Sequence, residues 1–293
     1  MRIIKPLIPK YSEIQIHSFL SENEFMDAYV ELLKQTIESL FYLVHAKYCD
    51  ENDEFLKLSK DDAVVGGNLV RIIKLNTSFL QNICENKIEI CSILNRCIAE
   101  TSINLIYMLT ESEERVRRNY VKHSLLTEKQ LWETIKTNIS DRNGDILNIE
   151  KRMQSSIERS FDNSDFEIDE VNRSSKWNSI KSRAEVVAGE MFYTVFYGIA
   201  SHSVHGNWQD ILSNNLNKFE DGFKLNLDWQ RSRPQIIDGP IFFNLDIMNK
   251  FVESELPNDE NLEIIKTNYL SLRKYANLLN EFHEKMLENQ NGL

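Results

Sequence analysis

Apolar residues recur at helical spacing over stretches of more than twenty residues, and this pattern constrains the fold most. The first stretch opens at Ser21, which has Glu24 three residues on, as in a capping box, and it runs to about Tyr48. A second stretch begins near Lys60, and a strongly apolar one covers residues 87–108. These patterns predict long amphipathic helices.

Residues that interrupt helices are scarce, with 9 glycines and 5 prolines among 293 residues. Only "FKLNLDW", followed by "RPQIID", alternates in the way a strand does. The sequence therefore predicts an all-α fold, a multi-helix bundle with long antiparallel helices and at most a small hairpin near residues 222–238.

The helical pattern suggests three parts along the chain. Residues 1–60 form an N-terminal helical segment, residues 61–215 a helical core domain with the polar side chains, and residues 216–293 a hairpin or arm followed by two helices that pack on the core. Between residues 141 and 173 the pattern loosens into Asn, Asp, Ser and Glu. We expect a mobile or protruding insertion there.

The formal net charge is -11, from 34 basic and 45 acidic side chains. This balance argues against binding of duplex DNA or an anionic membrane over the whole surface, although a local basic patch is compatible with it. No stretch reaches the roughly 18 apolar residues of a membrane-spanning helix, so we expect a cytoplasmic protein. The sequence has no glycine-rich phosphate loop and no cluster of metal-ligand residues, and we expect neither cofactor nor metal.

The segment "YGIASHSVHGNW" brings polar side chains into an apolar helical pattern. Tyr197, Ser201 and His205 follow one another at intervals of four and form a stripe on one helix face. In a structural interpretation the tyrosine packs, the serine bonds back to its own helix and the histidine caps the helix end. In a functional interpretation the stripe supplies a polar site.

Arg96 and Glu100 are also four residues apart, on the most apolar of the predicted helices. Their apolar neighbours favour a partly buried ion pair, which is costly unless further hydrogen bonds complete it. The Tyr197, Ser201 and His205 stripe is the best supplier of such partners. A network that only fixes helix register would have the same composition.

The segment "RNYVKH" contains Arg118 and, five residues later, His123. It resembles the Arg, polar residue, three residues, His motif of HEPN (higher eukaryotes and prokaryotes nucleotide-binding) ribonucleases, a resemblance that implies a helical bundle and RNA cleavage without a metal. On a straight helix five residues turn by about 500°, so the two side chains point about 140° apart around the axis. They can meet only if the helix is distorted there or if its first turn starts between them. Alternatively, Arg115, Arg117, Arg118 and Lys122 form a solvated basic face.

A second resemblance covers residues 65–215. "NRCIAETSINLIYML" and the later "YGIASHSVHG" resemble domain-of-unknown-function family 5677, all-helical bacterial proteins with an Arg-x-x-x-Glu helix and a Tyr-x-x-x-Ser-x-x-x-His helix. The matching positions are Arg96, Glu100, Tyr197, Ser201 and His205. The resemblance implies that the two helices touch, and it implies no reaction.

These residues suffice for one metal-independent reaction. A histidine base can take the proton of an RNA 2′-hydroxyl while an arginine holds the phosphorane oxygens and Glu100 orients one of these groups, giving a cyclic phosphate. We therefore expect a HEPN-like endoribonuclease or a toxin or defence effector that acts on RNA. The alternative is a non-catalytic helical interaction module that binds a protein partner or a second copy of itself.

Overall fold

The computed structural model describes residues 7–172, 177–189, 204–256 and 262–291. The chain forms two compact units, Met1–Thr110 with Ile180–Leu293, and Glu111–Ser179. The predicted all-α class with long helices is confirmed. In chain order the elements are α1 (Glu13–His17), α2 (Glu22–Tyr48), α3 (Lys60–Cys84), α4 (Ile88–Glu111), α5 (Glu114–Ser124), α6 (Leu126–Asp141), α7 (Asn148–Asp162), α8 (Ile180–Ala188), α9 (Trp208–Asn214), β1 (Leu216–Phe219), β2 (Gly222–Leu225), α10 (Gln235–Glu255) and α11 (Leu262–Asn291).

Helix starts follow the capping residues in the sequence. At α2 the Glu24 carboxylate accepts a hydrogen bond from the Ser21 amide at 3.1 Å, which completes the predicted capping box. At α3 the Ser59 hydroxyl accepts from the Asp62 amide at 3.1 Å. Both helices start where predicted, because the capping residues and the apolar spacing indicate the same first turn.

The core of the first unit is built around α2. This helix packs against α3, α10 and α11, and it buries Phe25, Tyr29, Leu32 and Leu40 almost completely. Segments expected in separate parts of the chain, residues 1–60 and 216–293, thus share one core. The unit division therefore differs from the three-part organisation predicted from the sequence, since packing rather than sequence order defines it.

A polar network lies within this core. The Asn76 amide donates to the Asn244 side-chain oxygen at 3.0 Å, and the Asn244 amide donates to the Thr36 hydroxyl at 3.1 Å. All three residues are at most 1% exposed and come from α3, α10 and α2. Because unpaired polar groups are costly in a core, the network favours a single register for the three helices.

The small sheet lies within the first unit. β1 and β2 pair antiparallel, with Leu216 opposite Leu225 and Phe219 opposite Gly222. Gly222 has a φ of +147°, a conformation that favours glycine at the turn. The small hairpin expected near residues 222–238 lies at residues 216–225: a turn at Glu220 and Asp221 pairs β2 with β1, while "RPQIID" leads into α10, which begins at Gln235.

The second unit contains α5, α6 and α7. Its core is formed by Leu125, Ile135, Ile157, Phe161, Phe166 and Val171. The region expected to be an insertion, residues 141–173, contributes α7 to this core. Thr127 is a residue type common at helix N-caps but lies inside α6: the helix starts at Leu126, since Leu125 is already in the right-handed helical conformation and leaves no extended residue between α5 and α6.

Across the described ranges, we find no helix with both the length and the apolar character needed to cross a lipid bilayer.

Two titratable groups lie next to α2 in the first unit. Burial raises the pKa of the Asp238 carboxyl to about 7, and the Tyr29 hydroxyl lies nearby without a hydrogen-bond partner of ordinary geometry. His283 is fully buried against Phe25, with ring centroids 4.8 Å apart and neither ring nitrogen hydrogen-bonded. Burial lowers the pKa of His283 because the charged imidazolium is poorly solvated there.

We expect Asn244→Ala to lower the free energy of unfolding by about 2–4 kcal/mol, because the change leaves a cavity and unpaired groups on Asn76 and Thr36. Urea denaturation checks this value. Asn249→Ala is the matched control on the same helix, where the amide bonds only to Glu253 at an exposed site. Equal losses for the two variants would contradict a structural role for the network.

We expect Asp238→Asn to stabilise the protein more at pH 8 than at pH 5, by about 1–3 kcal/mol. Because burial raises the pKa of Asp238 in the folded protein, the folded state binds this proton more tightly than the unfolded state does. The free energy of unfolding of the wild type therefore falls as the pH rises from about 4 to about 7. His283 has the opposite sign, losing stability as pH falls below about 6.5. Thermal melts across this range test the prediction, and a gain independent of pH would contradict it.

Candidate functional site

The first candidate group lies on α4. The Arg96 Nη2 and Glu100 Oε2 atoms are 3.9 Å apart, with 14% of the arginine side chain and 48% of the glutamate side chain exposed. The predicted spacing thus brings the two charges together on one face of the helix. With a half-exposed carboxylate at this distance, the pair contributes only a modest stabilisation.

Of the downstream segment predicted to complete this site, only the part from residue 204 onward is described. Tyr197 and Ser201 lie outside the described residues. Gly206 has a φ of +54°, as expected for the predicted glycine just after a helix, and His205 precedes it in an exposed position. In the described part of the chain, His205 forms no hydrogen bond or ion pair with Arg96 or Glu100. The shared pocket of Arg96, Glu100 and His205 stays a prediction.

The second candidate group lies on α5, within the second unit. A groove of about 500 Å³ runs along this helix. Its lining consists of three cationic side chains, one amide, one aromatic ring and one carboxylate: Arg115, Arg118, Asn119, Lys122, Phe166 and Glu170. Arg118, Asn119 and Lys122 face it because residues three and four apart share a helix face. We call this the α5 groove.

Phe166 holds the cations of the α5 groove in place. The Arg118 guanidinium lies 4.4 Å from the ring centroid and the Lys122 ammonium 5.8 Å from it. The ring itself is only 7% exposed, because it is part of the core of the second unit. A cation over an aromatic face is attracted to it, so the rigid core orients the two charges at the surface.

The charges of the α5 groove are only partly balanced. Arg115 pairs with Glu113 at 3.1 Å, on an exposed surface. Arg118 and Lys122 make no ion pair within the described ranges. Glu170 is the one acidic residue of the lining, and its carboxylate accepts a hydrogen bond from the Glu167 amide at 3.1 Å. The groove is therefore a local cationic surface on a chain with a net charge of -11.

His123 lies on the same helix but does not line the groove. The α-helix is continuous from Glu114 to Ser124, so Arg118 and His123 leave it about 140° apart. His123 is exposed in the last turn, four residues after Asn119 and therefore on the same side as that amide. The structure thus brings Arg118 and Asn119 to one groove and His123 to its flank.

Two findings differ from the predicted basic face. Arg117 is buried, with 9% exposure, and does not belong to the solvated surface with Arg115, Arg118 and Lys122. Phe166 and Glu170 were not predicted as site residues, because they lie more than forty residues after α5 in a segment without a clear periodic pattern. The one signal in the sequence is the segment "DFEID", residues 165–169, in which the aromatic Phe166 lies between two acidic residues.

No group of three or more His, Cys, Asp or Glu side chains close enough to hold a metal ion occurs in the four described ranges. The chemistry available at the two candidate groups is therefore that of guanidinium, ammonium, imidazole, amide and carboxylate groups. Such a set can bind an anion and move a proton.

Comparison with known proteins gives one match. A family model described as a family of unknown function, DUF5677, matches residues 62–223, a range that includes α4, α5 and the end of the helix before Gly206. Searches of curated proteins and of solved structures found no match. Because the matched range is more than half of the chain, the protein belongs to the DUF5677 family.

Proposed function

We propose that this protein is a metal-independent endoribonuclease of the HEPN kind, and that the α5 groove binds the RNA backbone. The observation that carries the proposal is the pair of cations, Arg118 and Lys122, held over Phe166 without an acidic partner in the described chain. RNA presents one phosphate per nucleotide, and cationic side chains with spare hydrogen-bond donors are its usual contacts.

The packing of Arg118 on Phe166 favours a role in binding phosphate over a role as an ordinary solvated surface charge. The guanidinium of Arg118 rests with its carbon 4.4 Å from the Phe166 ring centroid, and its N–H donors are available to an anion. Because packing against the ring already limits the side chain, less conformational entropy is lost on binding. The net charge of -11 repels RNA from the rest of the surface and directs it to this groove.

His123 is the candidate general base, and because it leaves α5 about 140° from Arg118, the RNA backbone would pass from the α5 groove to the flank of the helix to reach both side chains. Its imidazole would take the proton of a 2′-hydroxyl, O2′ would bond to phosphorus while the P–O5′ bond breaks, and the leaving 5′ oxygen would take a proton from water. The products are a 2′,3′-cyclic phosphate and a 5′-hydroxyl end. Arg118 would stabilise the charge on the phosphorane oxygens, as a preorganised donor does.

His205, with Arg96, Glu100, Tyr197 and Ser201, is the second candidate for the same chemistry. The match of the family model over residues 62–223 covers both candidate groups and does not separate them. An RNA-cleaving protein of this kind would act in the cytoplasm as a toxin or defence effector, since unrestricted cleavage of cellular RNA stops growth.

We expect the purified protein to cut a labelled single-stranded RNA in the presence of a chelator, leaving cyclic-phosphate ends. His123→Ala should reduce the rate by roughly 10²-fold or more, the usual size of a general-base effect. The assay is gel electrophoresis of the fragments before and after enzymatic opening of the cyclic phosphate. His17→Ala, at an exposed histidine of α1, is the control and should keep full activity.

Other outcomes of this assay distinguish the His123 site from the His205 site, and the enzyme from the non-catalytic module. Loss of activity only in His205→Ala would move the reaction to the group around Arg96. Intact RNA with a wild-type protein that is folded by circular dichroism would contradict the enzyme. It would favour the non-catalytic interaction module, for which the exposed apolar residues around the hairpin are the supporting observation.

We expect RNA binding to depend on Arg118 and Lys122. Fluorescence anisotropy with the same RNA, measured at several salt concentrations, should show weaker binding for the Arg118→Gln, Lys122→Gln double variant. The slope of log K against log salt should shrink by about 1.4, because two phosphate contacts are lost. Lys136→Gln, at an exposed position of α6, is the matched control. An unchanged slope in the double variant would contradict binding in the α5 groove.

A further inference from the structure

Large apolar side chains are exposed along β2 and the residues that follow it. Phe223 is 49% exposed, Leu225 83%, Leu227 94% and Trp229 52%. These alternate residues leave on the order of 400 Å² of apolar surface in water, the size of patch that on a soluble protein commonly marks an interaction site. We call residues 223–229 the edge segment.

The outer edge of β2 is open for pairing. The Asn226 amide donates to the Asn215 carbonyl at 2.8 Å, one step beyond the pair Leu216 and Leu225. Because hydrogen-bonded pairs alternate in an antiparallel ladder, the backbone groups of Phe223 and Leu225, both within β2, point away from β1. An unpaired edge of this kind is a template for another strand, and a two-stranded hairpin alone is only marginally stable.

The edge segment reads "FKLNLDW" and is complementary to itself about Asn226. In an antiparallel pair with a second copy, Leu225 lies opposite Leu227, Phe223 opposite Trp229 and Lys224 opposite Asp228. On the β2 side of these pairs, Phe223 and Leu225 are the residues whose backbone groups face outward. The sequence, its polarity and the outward backbone of Phe223 and Leu225 therefore favour the same arrangement.

The charges select this register. Lys224 lies with its ammonium 4.6 Å from the Phe219 ring centroid, on the face opposite the exposed leucines, and it forms no ion pair within the described ranges. The Asp228 amide donates to the Asn226 side chain at 3.1 Å and the chain bends at Asp228, so residues 226–229 straighten when this pairing forms. Moving the axis to Lys224 would bring two lysines together, and moving it to Leu225 would leave both charges unpaired.

We propose that the edge segment pairs with the same segment of a second copy of this chain, about a two-fold axis at Asn226, to form a four-stranded antiparallel sheet. The interface is isologous, since each contact occurs twice. It lies within the first unit, and the proposal is independent of RNA cleavage by α5.

A charge exchange in the full chain tests the register. We expect wild type to dimerise in sedimentation equilibrium, and Lys224→Glu or Asp228→Lys to weaken the dimer roughly tenfold or more, because each puts like charges opposite each other twice. The double variant, Lys224→Glu with Asp228→Lys, should restore dimerisation. Lys218→Glu, on β1, is the control and should leave the dimer unchanged.

A disulfide tests the axis directly. Asn226 would face its own copy as a non-hydrogen-bonded pair, with Cα atoms about 4.5 Å apart, within the range of a disulfide. In a Cys84→Ser background, which removes the exposed thiol, Asn226→Cys should form a covalent dimer under mild oxidation and Lys218→Cys should not. Lys218 is exposed and Asn226 is partly exposed outside the hydrophobic core, so circular dichroism should show unchanged folding in both cysteine variants.

The proposal is overturned by a wild-type protein that stays monomeric at about 100 μM, a concentration well above the dissociation constants of specific dimers. A dimer that ignores both single charge changes would overturn it as well. So would a double variant no better than the single ones, or equal cross-linking at positions 226 and 218. Ribonuclease activity enters none of these measurements.

Discussion

The burial of α2 against α3, α10 and α11 is the interaction on which the first unit depends. This 27-residue helix supplies Phe25, Tyr29, Leu32 and Leu40 to the core. Burial of apolar side chains is non-directional and does not by itself select how neighbouring helices slide along one another. The hydrogen bonds among Thr36, Asn76 and Asn244 supply that selection, because a shift of one turn would leave buried amides unpaired.

The helices could be predicted because their signals are local. Ser21 with Glu24 and Ser59 with Asp62 fix where two helices start, and apolar spacing fixes which face is buried. The start of α6 could not be placed from Thr127 for a local reason too, since the sequence does not reveal that Leu125 continues the helical conformation. Alternation located β2, but its partner strand is set by the turn at Glu220 and Asp221, which places β1 upstream at Leu216–Phe219.

The candidate sites were predictable to different degrees. Arg96 and Glu100 could be paired from their spacing, since four residues on a helix bring side chains together. Arg118 and Lys122 could be placed on one face for the same reason. Their relation to Phe166 could not be predicted, because a contact between residues more than forty positions apart depends on how α6 and α7 fold back, and no sequence period records that. The burial of Arg117, which lies between the buried Val116 and the exposed Arg118, is likewise a tertiary effect.

Net charge and local charge have different consequences in this protein. A chain with 45 acidic and 34 basic side chains repels polyanions at long range, so a cationic groove can bind RNA only through short-range contacts. Short-range binding is stronger when the side chains are already oriented, because less conformational entropy is lost. The Phe166 ring orients Arg118 and Lys122 in this way. The aromatic ring is therefore as important to the proposed function as the cations, because without it the same charges would be mobile and would pair with the acids that surround them.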